Sequence, residues 1–281
     1  MTEPRGEDAR NIARELIEVW RATGSLSMAP RDSAYVGLVV LALTSHAINL
    51  ADAALTLIES GRPVEAAALL RQVIETAWTA VWVEAYGSTA ARALIHEQAR
   101  NSLNTVQAFV KAGTSATDEE VAELNAALDG LGNAASPSGR TFEARCEDIE
   151  GGKRVYAMYR ALSQYSHASV VTVDLYVHQI RKTEQWPLGL GISPRPEADG
   201  FDSLFDLAPV MLIHACLAWS RIDKTRAQRT RLKELARLYD INPRNQKTVI
   251  GLKREHDRQR AEKAARREAR PPRDVAPKMS V

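Results

Sequence analysis

Apolar positions recur with a helical period along most of this chain. Ile12, Leu16 and Trp20 share one face over residues 7–22, which predicts an amphipathic first helix. Residues 31–59 read as a long, very apolar second helix. A third is predicted from Pro63 to about Tyr86. Gly61 and Pro63 separate the two, Gly past one helix end and Pro inside the next. So short a link makes the two helices antiparallel neighbours. Ile95, Ala99, Leu103, Val106 and Val110 mark a fourth helix. Thr117 and Glu120 form a capping box that opens a fifth, with Val121, Leu124 and Leu128 facing inward. Residues 132–152, rich in Gly, Ser and Asn, read as a surface loop. The periodicity then predicts one helix over about 153–181, a long irregular stretch to residue 202, and a helix with Leu207, Val210, Met211, His214, Leu217 and Ala218 on its apolar face. The fold class is all-α: an antiparallel helical bundle with a basic C-terminal helical extension.

Composition agrees with that reading. Hydrophobic residues make up 45% of the 281 and aromatic residues only 6%, a balance that favours helix over sheet. The longest apolar run, Ala34–Leu43, is too short to span a bilayer. The polar N-terminus has no signal-peptide core, so the expectation is a cytoplasmic protein without membrane attachment. Cys146 and Cys216 lack metal-ligand spacing and are expected to be reduced thiols. No dinucleotide, phosphate-loop, zinc or di-iron motif occurs, and no cofactor or metal is expected.

Charge divides the chain. Residues 223–281 hold 18 Lys and Arg against 8 Asp and Glu, while residues 1–222 carry a net −8. We therefore divide it into a bundle domain, 1–222, and a basic tail, 223–281, partly disordered at its end. The tail is a candidate contact for RNA or DNA through Arg226, Arg229, Arg231, Lys233, Arg244, Lys247, Lys253 and Arg254. Residues 232–255 also carry a faint helix-turn-helix pattern, with Ala236, Ile241 and Val249 as apolar anchors and Asp240 in place of the usual turn Gly.

Polar positions at helical spacing carry the candidate chemistry. Arg71 and Glu75 lie in line with Trp78 and Trp82, which predicts a half-buried charged pair. Tyr156, Arg160, Ser163 and His167 form a stripe on the helix expected over 153–181. A guanidinium can clamp a phosphate at two points, and an imidazole can take a proton from a ribose hydroxyl. The pair could support metal-free RNA cleavage. The structural alternative has Arg160 paired with a carboxylate such as Glu75, and His167 packed or capping. Ser45, Asn49, Asp52 and Thr56 form another polar stripe, read as a solvent face or a polar pocket wall.

Two resemblances follow from these residues. Gly61, Glu65, Ala66, Leu69, Arg71 and Glu75, with Tyr159, Leu162, Ser163 and His167, resemble the two elements of a bacterial helical family of unknown function, over about 35–185. That resemblance implies a bundle in which Arg71, Glu75, Ser163 and His167 converge. Arg160 and His167 are also similar to the Arg-x4–6-His motif of HEPN ribonucleases and toxins, helical dimers whose paired motifs form one cleavage site. Ala161 departs from that pattern, where a polar residue usually follows the Arg. The reading is a nucleic-acid-directed protein, a metal-independent endoribonuclease of a toxin or defence type, acting as a homodimer. Arg160 would hold the phosphate, His167 would be general acid or base, Glu75 would orient His167, and Arg71 would add charge beside Ser163. The alternative is a non-catalytic dimerisation module whose tail binds nucleic acid or an acidic partner.

Overall fold

The computed structural model describes residues 4–23, 27–28, 34–113, 118–131, 141–196, 199–243 and 248. They form ten α-helices and one short hairpin, an all-helical class as the pattern predicts. The helices are α1 (Glu7–Arg21), α2 (Ala34–Glu59), α3 (Pro63–Tyr86), α4 (Ser88–Lys111), α5 (Asp118–Leu131), α6 (Phe142–Glu147), α7 (Gly152–Ser166), α8 (Val170–Asp174), α9 (Leu207–Ile222) and α10 (Arg229–Leu238). A 3-10 turn, Phe201–Asp206, leads directly into α9. Strands β1 (Val177–Gln179) and β2 (Leu190–Ile192) pair antiparallel, with His178 opposite Gly191.

Helix α3 is the axis of the fold. It is apolar around most of its circumference, and such a helix is stable only when surrounded. Leu70, Val73, Ile74, Trp78 and Trp82 are each 2% exposed or less. Burial of a side chain of this size contributes about 1.5–3 kcal/mol. Helices α2 and α9 pack along α3, and α1 lays Ala13, Leu16 and Ile17 over α2 and α9. Gly61 makes the α2–α3 turn at φ 71°, a left-handed conformation that costs glycine little. Helix α2 and the continuous 201–222 segment are long and apolar enough to cross a membrane. In this fold both bury apolar residues against α3.

Three expectations are corrected. Residues 132–152 are not all loop, because Thr141 caps a short helix, its Oγ1 accepting from the Ala144 amide at 3.2 Å. That helix, α6, buries Phe142, Arg145 and Cys146. It approaches α7 so closely that a Cβ on Gly152 would stand 1.9 Å from the Cys146 carbonyl oxygen. The helix expected over 153–181 ends instead at Ser166. His167 is extended (φ −120°, ψ 151°), and Ser169 caps the separate α8. The hydroxyls of Ser166, Ser169 and Thr172 compete for backbone carbonyls around the break.

The bundle also extends past residue 222. Leu232, Leu235, Ala236 and Tyr239 are buried in the main core, and the Arg231 guanidinium grips Glu15 on α1 at 2.6 and 2.7 Å. Helix α10 ends in a paired closure. The Ile241 amide donates to the Ala236 carbonyl (2.8 Å) and the Asp240 amide to that of Arg237 (3.3 Å). Asp240 sits at φ 52°, the left-handed position usually held by Gly in this C-terminal motif. Asp240 thus occupies the backbone conformation that the expected turn glycine would take. Val249, the last anchor of the helix-turn-helix pattern, and Thr117 of the α5 capping box lie outside the described residues.

Candidate functional cleft

A cleft of about 550 Å³ opens where α7 meets α6 and α3. Helix α7 is fixed by its apolar side: Val155 and Leu162, two turns apart, are buried against the core. The adjacent side carries Tyr156, Arg160, Ser163 and Gln164 into the cleft wall. The chain bend after Ser166 then brings His167 and Ser169 to the same cleft. Continuous helical spacing was the reason to group His167 with Arg160. The group holds, but an extended residue completes it.

Arg71 enters from α3. Its Nε donates to Ser163 Oγ at 3.0 Å, and its Nη2 donates to the Tyr159 hydroxyl. The guanidinium carbon lies 4.4 Å from the centre of the Tyr159 ring, a cation–π arrangement. Glu75, one turn on, is 3.9 Å from Arg71 Nη2. The expected pair therefore exists and is half-buried. Burial raises the Tyr159 hydroxyl above its ordinary pKa, the Glu75 charge raises it further, and Arg71 opposes both. The phenol stays protonated and bridges Arg71 and Glu75.

Arg71 and Ser163 thus converge with His167 on the cleft, while Glu75 stands behind Arg71 and outside the wall. Glu75 reaches Arg71 and Tyr159; among the described residues it makes no hydrogen bond or ion pair with His167, so the expected orienting role has no geometry behind it. Arg160 and His167 are both exposed. Among the described residues Arg160 makes no ion pair, which removes the alternative of an Arg160–Glu75 bridge. Thr141, Phe142 and Glu143, expected in a loop, line the cleft, and so does Tyr159, which also packs against the core. Phe142 packs against Tyr159 with ring centres 4.6 Å apart and the planes tilted by 52°. Its sequence signal was available in Thr141, a capping residue directly before an aromatic one.

The other polar stripe on α2 faces out: His46, Asn49 and Thr56 are exposed, and Asp52 bonds Arg21 at 2.6 Å. Of the tail residues, Arg226 is exposed, and Arg229 and Lys233 are half-exposed. Arg231 is committed to Glu15 and Glu234, and its hydrogen bonds, with a smaller effect of its charge, hold the Glu15 carboxyl below its usual range. Arg244, Lys247, Lys253 and Arg254 lie outside the described residues. Among the described residues no three His, Cys, Asp or Glu side chains gather as a metal site.

Fold and cleft together define an all-helical protein with an open, arginine-bearing polar cleft on the flank of its central helix. The chain belongs to the DUF5677 family of unknown function, which it matches over residues 37–184. That span contains α3, α6 and α7, the three helices that build the cleft. No curated protein and no solved structure is detectably similar to the chain.

Proposed function

We propose that the cleft is a site for an RNA phosphodiester, and that this cytoplasmic protein is a HEPN-like, metal-independent endoribonuclease of a toxin or defence type. One observation carries the reading. Arg160 and His167 are both exposed and line one cleft with Arg71 and Ser163, instead of being spent in structural pairs. Arg160 offers a planar fork of donors to the phosphate oxygens. Arg71 stands behind it as fixed positive charge, held by Ser163 and Tyr159. His167 takes the proton from the ribose 2′-hydroxyl. The 2′-oxygen then bonds to phosphorus, the bond from phosphorus to the 5′-oxygen breaks, and water protonates the departing 5′-oxygen. In a homodimer a second copy of the motif could supply that proton instead. Arg226, Arg229 and Lys233 add non-specific phosphate contacts from α10 and its approach.

The test is cleavage of a mixed RNA pool by purified full-length protein in EDTA, beside His167→Ala and Arg160→Ala. Loss of about 100-fold or more in both variants, with folding and RNA binding intact, is the expected result. RNA binding without cleavage by the wild type would replace this reading with the non-catalytic binding module.

A further inference from the structure

Tyr156 opens the polar stripe of α7, and the chemistry of Arg160 and His167 makes no use of it. Three of the eleven residues that line the cleft, Phe142, Tyr156 and Tyr159, are aromatic, in a chain where aromatic residues make up only 6%. The cleft is thus the place where rings collect. The Phe142 ring centre lies 4.6 Å from that of Tyr159 and 6.5 Å from that of Tyr156. Tyr156 and Tyr159 are 6.1 Å apart, with their planes within 19° of parallel. Two of the three rings are already engaged. Tyr159 carries the Arg71 guanidinium over its face and accepts its hydrogen bond. Phe142 is 8% exposed and belongs to the core. Tyr156 is half-buried. Among the described residues it carries no cation and makes no side-chain hydrogen bond, so its ring is the one the cleft has free. It stands one helical turn before Arg160 on the same side of α7, about 6 Å away along the helix axis.

We propose that the Tyr156 ring is a platform for one unpaired nucleobase, so that the cleft takes single-stranded RNA and refuses a duplex. This rests on the reading of the cleft as a site for an RNA phosphodiester. Arg160 holds the phosphate, and the base next to it lies flat on Tyr156, one turn away. The near-parallel Tyr159 ring, fixed by Arg71, supports the platform from beside it. Every base has a π-face, so such a contact tolerates any sequence. A base inside a duplex is stacked on its neighbours and must leave the stack to offer a face. The volume agrees: about 550 Å³ is the size of a small-molecule pocket, with room for a nucleotide and not for a double helix.

The probe is a four-residue 2′-deoxy strand whose one base is 2-aminopurine, the other three positions being abasic. Without a 2′-hydroxyl it is not cleaved, and its fluorescence falls when the base stacks on an aromatic ring. The same strand with no base is the control. Residues 240–281 contain no Phe, Trp or Tyr, so the basic tail adds charge to binding but no such ring to the signal. Full-length wild type is expected to quench the probe and to bind it about 10- to 100-fold more tightly than the base-free strand, the worth of one stacked base. Tyr156→Phe should keep both effects. Tyr156→Leu should lose the quenching and bind the two strands alike through their phosphates. An unquenched probe at saturating wild type, or quenching undiminished in Tyr156→Leu, overturns the proposal. If wild type nevertheless cleaves RNA, the platform alone falls and the reading of the cleft stands; if it neither binds nor cleaves RNA, both fall.

Discussion

Two arginines on either side of Phe142 are built alike and used differently. Arg145, on α6, lies over the Trp82 ring at 5.6 Å and pairs with Glu97 and with Thr79. Arg71, on α3, lies over the Tyr159 ring and pairs with Glu75 and Ser163. Arg145 is 5% exposed, and its charge serves to bind α6 to α3 and α4. Arg71 has a cleft before it, and beyond it stand Arg160 and His167, exposed. A stacked, paired arginine is therefore not a sign of function by itself. What separates the two is the presence of further uncommitted polar groups within the same opening.

The comparison breaks most easily at its closed end. Glu97→Ala should destabilise the protein by about 3 kcal/mol, since Arg145 loses the carboxylate opposite a buried charge; a denaturant midpoint that barely moves would show that Arg145 is better hydrated than its burial implies. A shift of similar size should come from His214, which shares the apolar interior. Its folded pKa, about 4, lies below the ordinary value near 6.5, so the unfolded chain takes up the proton first. Stability should hold above about pH 6.5 and fall as pH drops toward 4, by up to about 3 kcal/mol. Urea titrations across that range should show the slope, and His214→Gln should flatten it. Arg71→Ala should cost less, about 1–2 kcal/mol for one hydrogen bond and one cation–π contact. Arg71→Lys should restore charge but not the two-sided grip on Ser163 and Tyr159. At the open end, Arg160→Ala and His167→Ala should each change stability by less than about 0.5 kcal/mol while removing RNA cleavage. A large fall in melting temperature for either would place it in the same class as Arg145.

Most of the bundle was legible because its signals are local. The Gly61/Pro63 break, the extent of α3 and the Arg71–Glu75 spacing each need only a few neighbouring residues, and each is found as expected. What was not legible depends on distant partners. Helix α6 is six residues long, too short for periodicity, and is held by burial of Phe142 and Cys146 against helices far away in sequence. The break at His167 lies inside a pattern that reads as continuous helix, because periodicity alone does not register the hydroxyl competition around Ser166 and Ser169. Helix α10 was assigned to the tail on charge, since four buried residues among many charged ones weigh little in composition. Tyr159 packs against the core and also accepts from Arg71, 88 residues away, a contact that no local pattern registers.

The two cysteines, finally, give this molecule built-in clocks. Cys146 and Cys216 are free, buried, and pushed by desolvation to a thiol pKa of about 12. A folded molecule thus presents almost no thiolate to an alkylating reagent, and labelling must wait for the chain to open. Cys146 rides on α6, the wall of the cleft, while Cys216 sits midway along α9 in the centre of the bundle. The rate at which each sulfur is marked therefore times a different event: the lifting of one wall for the first, the coming apart of the whole for the second.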